Sequence, residues 1–368
     1  MGISGDARAC GGCFAPQQSG TVVTDHKMIF AISQTQTTLY DQIEYTGAPQ
    51  SFAWVLPTHG VVTIGLSSDA LFQTLEANTR TTIIGPRQTF CGNGPSGGFS
   101  SGTTAPVAAE DAGVIVTAHQ VVGPYETVQL KSSDPTALSA WLGVNGYSIP
   151  PSVTPVIAAY VDEGFDFLAL RLVPGAGVSA MKPVSVTSPG AGLSLPLRMV
   201  AAGTGARVGM TLWVLGQGRY EPKNFLQFLI EPSEITWDFN AGGSDYSVLQ
   251  QQKEQGLNYA AWQIESSQDF SPYTIESNLL ADSTGAGYSA IPATDAGGAD
   301  GGPTTAQTAD QVRQQDLATL FASGPGTVRI TRMRADLSQA ALADDLELTA
   351  ASDQSTISNI YTVTNSVN

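Results

Sequence analysis

The 368-residue sequence predicts an α+β fold: a mainly antiparallel β-sheet with a helical hairpin and other short, segregated helices. Three observations predict it. Short apolar runs, some alternating with polar residues, recur between turn-sized separators. Two neighbouring segments carry matched helix starts and stops. Glycine (39) and proline (21) are plentiful, which favours short elements joined by many turns.

The elements follow in order. Residues 27–33, 39–45 and 52–56 read as strands of an antiparallel meander, separated at 34–37 and 47–49. In the second, Leu39, Asp41, Ile43 and Tyr45 alternate with Tyr40, Gln42 and Glu44, the period of a half-buried strand. Ser67-Ser68-Asp69 caps a helix that presents Leu71, Phe72 and Leu75 on one face. Asp134-Pro135 opens another, with Asp as N-cap, Pro at the first position, Leu138, Trp141 and Leu142 inside and Gly146 as the stop. Thr154-Pro155 repeats this grammar with Ile157, Tyr160 and Val161, ending at Gly164. The two helices form a hairpin across Pro150-Pro151 whose six apolar residues make one buried face.

Strands then return over 165–173, 183–187, 195–201, 210–215, 225–230 and 235–239, with a helix over 246–254. Residues 93–105 and 282–308 lack apolar periodicity, and the second stretch reads as a linker rich in Gly, Ala and Thr. Beyond it come a helix over 309–321, a strand over 328–333, a short helix over 339–345 and a last strand over 357–363. The expected organisation is a residual leader at 1–9, a main α+β domain at 10–281, the linker at 282–308, and a C-terminal α+β segment at 309–368 packing on the main domain.

Charged residues make up only 13% of the chain, yet its net charge is −16. Between residues 224 and 312, twelve acidic side chains face Lys253 alone. Such a surface repels phosphate backbones and anionic headgroups, which argues against nucleic acid and bare membrane as partners. No apolar run reaches the ~20 residues of a membrane helix. An envelope or extracellular protein is the partner class that remains.

Ala7-Arg8-Ala9 directly before Cys10-Gly11-Gly12-Cys13 has the small-x-small pattern cut by a signal peptidase, so export is expected. In an oxidising compartment Cys10, Cys13 and Cys91 are disulfide candidates. Cys91 is expected to pair with Cys10 or Cys13, because that bond would pin the N-terminus. Redox catalysis is disfavoured, since two glycines separate Cys10 from Cys13 and no strand precedes them to set up a helix. A structural zinc would need Cys10, Cys13, Cys91 and His26 together, without a second Cys-x-x-Cys.

His26, His59 and His119 stand in no metal-ligand spacing, and no Gly-x-Ser-x-Gly elbow, phosphate loop or dinucleotide fingerprint is present. The Asp- and Gly-rich stretch at 295–302 occurs once, where a calcium solenoid needs stacked copies. No catalytic, cofactor or metal residue is therefore assigned, and no cofactor is expected.

A series of local strings carries a family resemblance: Cys10-Gly-Gly-Cys13-Phe14, Phe52-Ala-Trp-Val-Leu-Pro57, Ser67-Ser-Asp-Ala-Leu-Phe72, Val122-Gly-Pro-Tyr-Glu126, Trp141-Leu142 with Asn145-Gly146-Tyr147, Phe167-Leu-Ala-Leu-Arg-Leu172 and Leu212-Trp-Val-Leu-Gly216. In this order they resemble the bacterial family called domain of unknown function 2330, notably its myxobacterial-type secreted members. The resemblance runs from Cys10 to about residue 238 and more thinly to Asn368. It implies an export signal followed by a Cys-Gly stretch at the mature end, and lends no catalytic residues. The expected function is that of a secreted, non-catalytic envelope or extracellular protein with a structural or binding role. The alternatives are an extracytoplasmic hydrolase with a dispersed site, and a metal-binding protein using the cysteines or the acidic segment.

Overall fold

Ser33 and Gln36 close the first hairpin. The Ser33 amide and hydroxyl both donate to the Gln36 carbonyl, and the Gln36 amide donates back to Ser33 Oγ at 3.1 Å. This tight reversal joins the eleven-residue strands Val22–Ile32 and Gln36–Thr46. The structure, a computed structural model, describes residues 13–14, 22–46, 53–86, 115–145, 153–173, 180–201, 206–281, 287–291, 306–324 and 326–367.

The hairpin lies inside an eight-stranded sheet. Its order is Leu226–Phe228, Ala261–Phe270, Val328–Ser338, Arg207–Gly216, Val22–Ile32, Gln36–Thr46, Val184–Pro189 and Thr63–Leu66. Two pairings are parallel, 207–216 with 22–32 and 226–228 with 261–270; the other five are antiparallel. A second sheet is antiparallel throughout, in the order Cys13–Phe14, Ala53–Thr58, Asp166–Leu172, Tyr125–Lys131 and Ile115–Val122.

Alternation along the strands stacks these elements into four layers. Met28, Phe30, Leu212 and Val214 point from the large sheet toward Trp54, Leu56, Leu168 and Leu170 of the small one. Ile29, Ala31, Trp213 and Leu215 point the other way, onto helices α1 (Asp69–Thr79), α5 (Pro272–Ala281) and α6 (Ala309–Leu320). The outer face of the small sheet, through Val55, Leu130, Phe167 and Ala169, is covered by α2 (Pro135–Val144) and α3 (Thr154–Asp162). Helix α4 (Tyr246–Gly256) joins a separate small cluster with Ile230, Ile235, Tyr361 and Val363. The fold is α+β and rich in antiparallel pairing, as the sequence predicts.

The helical hairpin follows part of its punctuation: Pro155 opens the second helix but Val153, not Thr154, is its N-cap, and Gly146 and Pro150-Pro151 lie outside the described residues. Asp134 Oδ1 accepts from the Thr136 and Ala137 amides, and Gly164 ends the second helix at φ +81°, a left-handed conformation that suits glycine. Leu138, Trp141, Leu142, Ile157, Tyr160 and Val161 are all buried in one cluster against the small sheet. Ser68 caps α1 through the Ala70 amide.

Other boundaries shift. The strand expected over 195–201 is only Ser194–Leu195, and that over 328–333 extends to Ser338. Charged Arg329, Arg332, Arg334 and Asp336 interrupt the apolar pattern of the latter while Val328, Ile330, Met333, Ala335 and Leu337 stay buried. The 339–345 helix reduces to a 3₁₀ turn at Ala341–Ala343. Strands 115–122, 125–131 and 261–270, and helix α5, carry no assignment in the sequence reading; polar side chains such as Gln129, Gln263 and Glu265 sit inside them and obscure the period.

Residues 309–368, expected to pack on the main domain, contribute strand 328–338 to the interior of the large sheet. Within the expected linker 282–308, residues 287–291 and 306–308 are described, and Ile291 is buried; the remainder, like 93–105 and 1–9, lies outside the described residues. Trp141→Ala should remove about 3–5 kcal/mol of stability by leaving a cavity between α2 and the small sheet. Urea unfolding followed by far-UV circular dichroism checks this, and a loss below about 1 kcal/mol would contradict the packing.

Candidate functional site

Among the polar side chains buried between the two sheets are His26 and Asp41, which are 1% and 5% exposed. Antiparallel register sets His26 opposite Ile43 and Met28 opposite Asp41, which makes His26 and Asp41 diagonal neighbours on one face. His26 Nδ1 lies 3.2 Å from Asp41 Oδ1. A carboxylate accepting from Nδ1–H fixes both ring orientation and tautomer, and makes Nε2 the acceptor nitrogen. This is the geometry by which an imidazole is prepared for proton transfer.

A cavity of about 20 Å³ adjoins the pair, walled by Met28, Leu39, Trp54, Leu197 and Met199. That volume admits roughly one water molecule. The strand Cys13–Phe14 runs alongside, with the Cys13 backbone opposite Trp54. Of the three cysteines expected to form a disulfide, Cys10 and Cys91 lie outside the described residues, and Cys13 is described through its backbone alone. The histidines are scattered. His59 stacks on Phe165 with ring centroids 4.0 Å apart, and His119 Nε2 meets Glu126 Oε1 at 3.0 Å. Among the described residues, no group of three or more His, Cys, Asp or Glu side chains could hold a metal ion.

A second polar centre occupies the opposite face of the large sheet. A β-bulge between Ile264 and Ser266 leaves Glu265 without a cross-strand partner and turns its carboxylate to Arg332. Arg332 Nε lies 2.6 Å from Glu265 Oε2, Nη1 lies 3.0 Å from Glu76 Oε2 on α1, and the guanidinium sits 5.4 Å from the Trp213 ring. Around it, Trp213 Nε1 donates to Thr79 Oγ1, Ser266 Oγ donates to the Thr79 carbonyl, and Gln263 Nε2 donates to Tyr246 Oη. Burial, with the nearby Glu265 charge, pushes the Tyr246 phenol up to about 12. The network ties α1 and α4 to the sheet.

Glu254 forms a third centre at the end of α4. Burial, reinforced by Asp336, pushes its carboxyl up to about 7 against the pull of Arg334 and Arg207. Beside it, Asn258 and Tyr259 adopt left-handed φ values of 55° and 53°, and Arg207 stacks 4.2 Å from the Tyr259 ring while pairing with Asp336 at 2.6 Å.

The sequence reading weighs His26 as a fourth ligand of a structural zinc and singles out neither Asp41 nor Glu265 nor Arg332. The available signal was an ionisable residue inside an otherwise apolar strand, which alternation alone does not pair with a partner.

Two outcomes follow. Arg332→Met should cost about 3–5 kcal/mol in urea unfolding because Glu265 is left charged and buried, while adding Glu265→Leu should recover much of that loss. For Glu254, the folded group holds its proton to higher pH than the unfolded one. Its stabilising contribution is therefore present below the ordinary glutamate range near 4.3 and is lost as pH rises toward about 7. Glu254→Gln should flatten that part of the stability–pH curve.

No curated protein and no solved structure matches the chain. A family model does: the one described as "Uncharacterized protein conserved in bacteria (DUF2330)" matches residues 5–349, the same family that the sequence strings resemble. The chain belongs to that bacterial family, DUF2330.

Proposed function

We propose that this protein is exported and performs a non-catalytic structural or binding role in the periplasm, at the cell surface or outside the cell. The observation that carries the reading is that the polar side chains of these centres are paired with one another. His26–Asp41 joins two strands, Arg332 joins two strands to α1, and Arg198 joins α3 to the 345 region through Glu163 at 2.6 Å and Asp345 at 2.8 Å. In each case the polar groups point at one another, and the Arg332 and Arg198 pairs also tie a helix to the strands or loop beside it. The acidic, sparsely charged exterior is suited to an envelope or extracellular protein partner. Ala7-Arg8-Ala9 before Cys10 supports export, and there Cys91 would pair with Cys10 or Cys13.

Fractionation of the bacterial host with an antibody, followed by N-terminal sequencing of the recovered protein, tests this. A mature chain beginning at Cys10 in an extracytoplasmic fraction is expected; a cytoplasmic chain with residues 1–9 intact would overturn the reading.

A second reading, an extracytoplasmic hydrolase with a dispersed site, is favoured by the carboxylate-oriented His26 beside its cavity. Covalent labelling by a fluorophosphonate or iodoacetamide probe that disappears in His26→Gln would support it. Absence of labelling under both probes would remove it.

A further inference from the structure

Asp316, on the sheet-facing side of α6, is 1% exposed and has no Lys, Arg or His in ion-pair contact among the described residues. The nearest cation on its helix, Arg313, is held by Glu276 at 3.0 Å and by Asp310. Hydroxyls surround the carboxylate instead. Ser67 Oγ donates to Asp316 Oδ2 at 2.5 Å, Tyr288 Oη donates to the same oxygen at 2.9 Å, and the Tyr40 phenol lies close to the carboxylate.

These hydroxyls come from three separate places: the end of strand 63–66, strand 36–46, and residues 287–291. The last is a short strap. Tyr288 packs against the apolar residues on both faces of the large sheet, and Ser289 Oγ accepts from Lys182 Nζ at 2.9 Å. Ile291 is buried and exchanges two backbone hydrogen bonds with Gln307, 2.8 and 2.9 Å long. The strap is thus fastened at one end by the Tyr288–Asp316 bond and at the other by a backbone bridge just ahead of α6.

We propose that Asp316 and Tyr288 form a pH-sensitive latch, in which the strap 287–291 is held fast while Asp316 is protonated and loosens when it ionises. An ionised carboxylate here must forgo water without gaining a cation, and hydroxyl donors offset only part of that cost. Lifting Tyr288 away would let water reach the charge. Burial accordingly pushes the Asp316 carboxyl up to about 6, with the Ser67, Tyr288 and Tyr40 hydroxyls pulling the other way. Burial and the neighbouring Asp316 charge raise both tyrosines above their ordinary value, so they stay neutral donors. The folded protein therefore takes up a proton at Asp316 between the ordinary aspartate range near 3.9 and about 6, and the strap is one of the elements that keep water from the carboxyl. Docking is strongest below that window and weakens as pH rises through it.

The test is amide exchange of Ile291 and Gln307 in the full chain, corrected for intrinsic rates, between pH 4.5 and 7.5. Protection should be lost progressively over that range, while strand 207–216 stays unchanged. Asp316→Asn should abolish the pH dependence. Tyr288→Phe, which keeps the carboxylate, should lower protection at both pH values and retain the trend. Protection independent of pH in the wild type, or an unaltered trend in Asp316→Asn, would overturn the latch. Should Asp316→Asn fail to fold, Tyr288→Phe decides: protection equal to wild type at both pH values would equally overturn it.

Discussion

Both faces of the eight-stranded sheet are covered, one by three helices and the other by a second sheet, so a polar side chain on its inner strands must find its partner within the protein. That constraint explains where the chemistry of this molecule sits. His26 is answered from the adjacent strand by Asp41. Arg332 is answered by Glu265, which a bulge turns toward it, and by Glu76 from α1. Asp316, on α6, meets hydroxyls alone among the described residues. The three solutions differ in kind: a hydrogen-bonded dyad, an ion-paired clasp, and an unpaired acid. They define, in turn, the candidate site, the architectural centre and the proposed pH-sensitive latch.

The covering layers depend on the same sheet for their placement. Helix α1 is anchored at its end by Thr79, which accepts from Trp213 through its hydroxyl and from Ser266 through its carbonyl. The small sheet carries the α2–α3 hairpin on its far side. Arg198 then links that hairpin to the 345 region, stacking 4.0 Å from the Tyr160 ring while Tyr160 Oη donates to Asp345. The phenol is raised by burial first and by Asp345 second, which keeps it a donor.

Local physics was legible in the sequence and long-range pairing was not. The hairpin could be read because Asp134-Pro135, Thr154-Pro155 and Gly164 are signals whose action is complete within one helical turn. The alternation of residues 39–45 could be read for the same reason. Strand 261–270 could not, because Gln263, Glu265, Ser266 and Ser267 look like a solvated stretch until Tyr246, Arg332, Thr79 and Thr331 are beside them. His26 and Asp41 were each visible, fifteen residues apart, but only the tight turn at Ser33–Gln36 and the resulting register make them a pair. Strand 328–338 could be read only as far as residue 333, since Arg334 and Asp336 pass for surface in a one-dimensional pattern.

The strand order sets a schedule for assembly. Strand 22–32 is made early, yet its parallel neighbour 207–216 is separated from it by most of two hundred residues, and 328–338 must then enter between 207–216 and 261–270. Closing loops of that length precedes any reward from the contacts they permit, and such topologies fold slowly. The large sheet cannot be completed before the last tenth or so of the chain is emerging. Until then the nascent protein presents open sheet edges and an uncovered apolar face, the species most exposed to aggregation and most readily held by a chaperone.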